Sequence, residues 1–198
     1  REDEILPYLR DLGFEALEIS NEAMPTQAPI EADRKFAEKC LRYGFKIHGE
    51  VGKKFAEGDR TRHSPSEIDV EATVQTFNAY VKMGAESSYW EGHLLRAVLG
   101  DMAEREEGRQ QVIEVAERVG AGKIIFEVPG TYLPYAGKRA LQSLLVYMFG
   151  PHVNIGNVLI EEIAELEEIR DGLFPAFGSP NGDHPWLRSL IKSATGRD

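Results

Sequence analysis

The chain has 198 residues, 42% of them hydrophobic and 28% charged, with a formal net charge of −10. That is enough apolar material for one domain with a sizeable core, and the composition is ordinary for a globular protein. The acidic balance argues against a nucleic-acid surface or an anionic membrane surface, both of which demand a basic face, and leaves an anionic substrate dependent on a local basic group or a metal.

Strand-like and helix-like segments alternate along the chain. Residues 2–12 read as the end of a helix through Ile5, Leu6, Leu9 and Leu12, closed by Gly13. Residues 16–20 (ALEIS) read as a short strand. Residues 30–43 carry helical spacing through Ile30, Phe36, Ala37 and Leu41 and stop at Gly44. Residues 45–51 (FKIHGEV) form the next strand, and 66–84 a helix with Ser64 or Ser66 as its cap. A weaker strand follows at 87–91 (SSYWE), then a helix at 105–118. The segment 123–128 (KIIFEV) is the strongest strand in the chain. A helix at 137–149, a strand at 153–158 (VNIGNV) and a helix at 160–171 complete the alternation.

Strands alternating with helices of this length argue for parallel βαβ units. A doubly wound sheet and a barrel both satisfy that pattern. No Gly-rich phosphate fingerprint follows any strand, which weakens a dinucleotide-binding version. The chain opens inside a helix and without Met, so upstream units are expected to be missing. The stretch 179–198 reads as an extension with a short amphipathic segment (Trp186, Leu187, Leu190, Ile191). Cys40 is the single cysteine, so no intrachain disulfide forms; its helical spacing places it in the core, and a reducing compartment is expected. No apolar stretch in these residues approaches the roughly 20 residues of a membrane span, and a signal peptide is not expected. A cytoplasmic homo-oligomer without membrane or nucleic-acid partners is expected.

Four of the strands end with a glutamate: Glu18, Glu50, Glu91 and Glu127. Parallel strands place all four at one end of the sheet, the C-terminal end where barrel active sites lie. Alternation puts Ser20 beside Glu18, Lys46 and His48 beside Glu50, Tyr89 beside Glu91 and Ile125 beside Glu127, with Asn154 and Gly156 on the last strand. Carboxylates gathered in one mouth repel and need protons, basic partners or a cation, and Mg²⁺ is the economical answer. The segment EVGKK carries Lys53 and Lys54 onto a loop where an ammonium can meet a phosphate. His93 follows the third strand, where it can act as acid, base or anion donor.

At these motifs the chain resembles the phosphosulfolactate synthase family over nearly all of residues 5–178. The segments that carry the resemblance are LGFEALEIS (12–20), EVGKK (50–54), WEG (90–92), KIIFEVP (123–129), VNIGNV (153–158) and the LEEIRDGL…FG stretch (166–178). The resemblance implies a (β/α)₈ TIM barrel of which residues 1–178 are the C-terminal five βα units. It also implies Mg²⁺-dependent addition of sulfite to phosphoenolpyruvate. On that basis Glu18, Glu50 and Glu91 are expected to ligate the metal. Lys53, His93 and Glu127 form the expected catalytic set, and Lys53, Lys54, His93 and Asn154 are expected to contact a small anionic substrate resembling phosphoenolpyruvate.

Three places depart from the family pattern. EISDG becomes Glu18-Ile19-Ser20-Asn21-Glu22, EGRES becomes Glu91-Gly92-His93-Leu94-Leu95, and a Gln-bearing segment becomes Gly130-Thr131-Tyr132-Leu133. The alternatives to the synthase are a non-catalytic, stress-associated or scaffold member of the same family and another Mg²⁺-dependent lyase.

Overall fold

The structure is a computed structural model that describes residues 2–20, 29–52, 68–129, 133 and 135–172. Among these, five strands form one parallel sheet: β1 (Ala16–Ile19), β2 (Lys46–Val51), β3 (Ser87–Trp90), β4 (Ile124–Glu127) and β5 (Asn154–Gly156). The helices are α1 (Glu2–Asp11), α2 (Glu31–Arg42), α3 (Val70–Lys82), α4 (Gly92–Leu99), α5 (Glu106–Val119), α6 (Tyr135–Phe149) and α7 (Ile163–Arg170). Strand order equals chain order, β1-β2-β3-β4-β5. A doubly wound sheet would reverse its order at a switch point, and this sheet does not. The architecture is α/β and compatible with part of a (β/α)₈ barrel.

Alternation along the strands divides the sheet into two unlike faces. Ile19, Ile47, Val51, Trp90, Ile124 and Phe126 all point to one face and are buried. Helices cover that face. Phe77 of α3 meets Trp90 edge-on at 5.6 Å, and Phe149 of α6 stacks on Phe126 at 5.0 Å. Burying each such side chain contributes roughly 1.5–3 kcal/mol. The opposite face carries Glu18, His48, Glu50, Ser87, Tyr89, Ile125, Glu127, Asn154 and Gly156 and is largely polar.

Gly49 shows how tightly the covered face is packed. A Cβ there would lie 2.3 Å from Cγ of Tyr80, a side chain that is fully buried, and 2.8 Å from Oγ of Ser88. Gly49→Ala is therefore expected to destabilise the protein by about 1–3 kcal/mol, the usual cost of overpacking. Denaturant unfolding measures it, and an unchanged midpoint would show that Tyr80 has room to move.

The expected elements are present, with corrections at their ends. α3 starts at Val70, not near residue 66. Ile68 and Asp69 precede it outside the helix, and the Asp69 carboxylate accepts from Ala72 N at 2.9 Å, so an Asp caps in place of a Ser. β3 stops at Trp90, and Glu91 leaves the strand to cap α4, a helix not among the elements read from the sequence. The last helical segment divides into a 3₁₀ turn (Ile160–Glu162) and α7. Cys40 is fully buried in α2, as its spacing predicts. Residues 179–198 and the cap candidates Ser64 and Ser66 lie outside the described residues. Among the described residues, no helix is long and apolar enough to cross a membrane.

Candidate functional site

The C-terminal ends of β2, β3 and β4 bring three carboxylates together. Glu50, Glu91 and Glu127 each offer one oxygen, and the three oxygens lie within 4.8 Å of one another. Glu50 is 8% exposed and Glu91 only 1%, so two of the charges are nearly removed from water. Like charges so close in a poorly hydrated place need compensation.

Local structure supplies part of it. Glu91 is the N-cap of α4, and its carboxylate accepts from His93 N at 3.0 Å. Gly92 N points to Oε2 of Glu127 at 3.4 Å. The first two amides of α4, where the helix carries its partial positive charge, thus face two of the three carboxylates. Glu50 is oriented from the other side, by the hydroxyl of Ser20 just past β1, which donates to its Oε2. Glycine permits this convergence. A Cβ on Gly92 would lie 2.9 Å from the backbone oxygen of Glu127, and one on Gly52 2.9 Å from Cβ of Glu91. Gly52 also has φ +105°, a conformation that side chains disfavour.

Tyr89 lies on the same sheet face, level with Glu50 across the β2–β3 pair. Burial, then the charges of Glu18 and Glu127, holds its hydroxyl above the usual tyrosine range, so it stays protonated and can donate. Tyr80, behind Gly49, is pushed up to about 12, chiefly by burial and then by Asp33, Glu50 and Glu18. It is a core residue.

The structure distributes the expected site residues unevenly. Glu50, Glu91 and Glu127 come together. Glu18 does not join them: it is exposed, opposite His48 on β2, below the level of Glu50. Glu127, expected to meet substrate, stands instead among the possible ligands. His93 sits in the first turn of α4, half-buried, where its side chain lines a cavity of about 350 Å³ with Arg96, Asp101 and Arg105. Asn154 is at the other end of the sheet from the cluster. It pairs with Ile125 while Glu127 pairs with Gly156, and its amide donates to the backbone oxygens of Gly122 (3.1 Å) and Ile124 (3.3 Å). Lys53, Lys54 and Asn21 lie outside the described residues. The roles of Gly92 and Ser20 were missed by sequence reasoning. The signal for Gly92 was present, because a Glu-Gly pair just past a strand is a place where a helix can be capped closely against its neighbour.

Three carboxylate oxygens with no soft ligand form a donor set suited to a hard divalent cation. Fold and cluster together define an α/β protein that gathers acidic oxygens at the C-terminal ends of consecutive parallel strands. A family model described as (2R)-phospho-3-sulfolactate synthase matches residues 1–175. The phosphosulfolactate synthase of Methanothermobacter thermautotrophicus is 31% identical over 172 residues, which cover 86% of this chain and 60% of that protein. The phosphosulfolactate synthase of Methanocaldococcus jannaschii is 27% identical over 172 residues, covering 86% and 62%. The chain belongs to the phosphosulfolactate synthase family. It spans about three fifths of the length of the curated relatives it matches.

Proposed function

We propose that this chain is the carboxylate-bearing part of a (β/α)₈ barrel enzyme that adds sulfite, or a related nucleophile, to phosphoenolpyruvate. The observation that carries the reading is the convergence of Glu50, Glu91 and Glu127 at the C-terminal strand ends, in a chain whose relatives are named phosphosulfolactate synthases. These three glutamates would hold Mg²⁺, which supplies a Lewis acid for the carboxylate of the acceptor. Mg²⁺ rarely takes more than one or two carboxylates directly, so the third would hold its water or the substrate in place. Lys53 is assigned to the phosphate as a point charge. In the reaction a carbon–sulfur bond forms at one carbon of the acceptor's double bond, and the other carbon takes up a proton. The α4 amides and Ser20 orient the glutamates in advance, so little reorganisation is left for the reaction itself.

One observation favours a second reading, a family member without the reaction. Leu94, which stands where the family pattern EGRES has its second Glu, is 4% exposed and packs toward Gly52, so that position serves the core and offers no carboxylate. Titration calorimetry of the full-length protein with phosphoenolpyruvate and Mg²⁺, followed by an assay of sulfite-dependent phosphoenolpyruvate loss, separates the two. Binding and turnover are expected. Binding with no sulfite dependence would point to another lyase, and no binding at millimolar ligand would sink the enzymatic reading.

A further inference from the structure

The outer side of the last helical segment carries an apolar stripe with an acidic edge. Leu166 and Ile169 of α7 are buried in the core. The 3₁₀ turn runs directly into α7, so at about 100° per residue Ile160 and Ala164 lie roughly half a turn away from them and project outward. Ile160 is 87% exposed, and Leu159, Ile163 and Ala164 beside it are exposed too. Single exposed apolar residues are common on a protein surface, but four between 159 and 164 form a patch. Further strands beside β5 would extend the sheet, whereas Ile160 and Ala164 point away from the core that the sheet shares with α7. Five glutamates fall between 161 and 168. Glu162 pairs with Lys138 at 2.5 Å, Glu165 with Arg139 at 2.9 Å and Glu167 with Arg170 at 3.4 Å. Glu161 and Glu168 are exposed and have no ion-pair partner among the described residues. Seven residues apart, they flank the stripe on one side. Glu168 also sits in the last turn of α7, where the helix dipole disfavours an anion and favours a cation.

The complement of this face is an apolar strip that carries two cations, and the chain contains one. Residues 184–196 hold no Asp or Glu, although the whole chain has a net charge of −10. Within them Trp186, Leu187, Leu190 and Ile191 are interleaved with Arg188 and Lys192. These residues lie outside the described ones, which end at Gly172. The intervening residues 173–185 span up to roughly 43 Å, while α7 is only about 12 Å long, so the strip reaches any point along the helix.

We propose that the segment 186–192 of this chain docks on the outer face of the 3₁₀ turn and α7. Its apolar residues cover Leu159, Ile160, Ile163 and Ala164, and Arg188 and Lys192 meet Glu161 and Glu168. Nothing in this contact depends on the reaction proposed above. Its consequence is mechanical. Arg170 of α7 donates to the backbone oxygens of Pro151 and Val153, just ahead of β5, so a segment clamped on α7 also steadies the strand at the edge of the sheet.

The wild-type full-length protein carries the first test. A carbodiimide joins a lysine directly to a carboxylate in contact with it, and mass spectrometry of the digest is expected to find Lys192 linked to Glu161 or Glu168. An equal mixture of nitrogen-14 and nitrogen-15 protein separates links within one chain from links between two. No such link overturns the docking. A link found only between two chains also overturns it and seats a second copy on the face. Hydrogen exchange gives the second test. Ile160→Arg is expected to speed exchange of the amides of 163–170 by about tenfold or more, as for a local structure that opens more often. Tyr8→Arg, at an exposed position on α1, is the control and should leave those amides unchanged. Equal exchange in wild type and Ile160→Arg overturns the docking even where the link forms, because the segment then passes the helix without holding it. Should Ile160→Arg melt well below wild type, the wild-type cross-link decides.

Discussion

Millimolar Mg²⁺ is expected to raise the unfolding temperature of the full-length protein, and Glu127→Gln is expected to abolish most of that rise. A ligand that binds only the folded state at a hundred times its dissociation constant adds about 2.7 kcal/mol. For a chain of this size that corresponds to about 5–10 °C. Glu127→Gln keeps an oxygen for the Gly92 amide, so the fold should persist, but it removes one of the three charges whose oxygens lie within 4.8 Å of one another. Glu18→Gln serves as the comparison. The sequence reading makes Glu18 a ligand, whereas the structure leaves it outside the group, so its neutralisation should leave the Mg²⁺ response intact. Calorimetric scans with Mg²⁺ and with a chelator measure both. An equal Mg²⁺ response in Glu127→Gln and wild type would remove Glu127 from the site, and a response lost in Glu18→Gln would restore the assignment made from sequence.

The difference between Glu18 and Glu127 shows what periodicity can and cannot deliver. Period-two alternation correctly puts Glu18, Glu50 and Glu127 on one face, because that property belongs to each strand alone. Which of them converge depends on register between strands, and register is a tertiary quantity. Glu18 pairs with His48, and Glu50 with Tyr89, so Glu18 sits a step lower than its neighbour. Register also separates Asn154 from the group: it lies on the same face but two residues before Gly156, the partner of Glu127, with its amide on the backbone oxygen of Gly122. Glu91 reaches the group by a route that strand alternation does not supply. It is not a strand residue but a cap, and the short helix it starts was hidden by the glycine at its first position. The βα alternation was legible because each unit carries its own hydrophobic signal. The contacts of His48 with Ser87 and Tyr89 were not, because the three residues come from two strands and meet only in the folded sheet.

Gly92→Ala should affect the site more than the fold. The added Cβ would lie 2.9 Å from the oxygen and 3.3 Å from the carbonyl carbon of Glu127, and 3.1 Å from the nitrogen of Pro129. All three are backbone atoms, so no rotamer change relieves the contact, and the first turn of α4 must move off the end of β4. Overpacking of this kind costs about 1–3 kcal/mol in stability. The larger consequence is geometric. Glu91 moves with α4, whose N-cap it is, while Glu127 stays with β4, so the two carboxylates separate. A shift of about 1 Å is enough to spoil a ligand constellation. Gly108→Ala separates this effect from destabilisation alone. Its Cβ would lie 2.1 Å from the backbone oxygen of Val98, near the far end of α4, and the stability cost should be at least as large. Cation affinity of the folded protein should therefore fall sharply in Gly92→Ala and little in Gly108→Ala, even where the second variant is the less stable. If both lose affinity in proportion to their lost stability, Gly92 serves packing alone, and the close approach of α4 to β4 does not set the distance between Glu91 and Glu127.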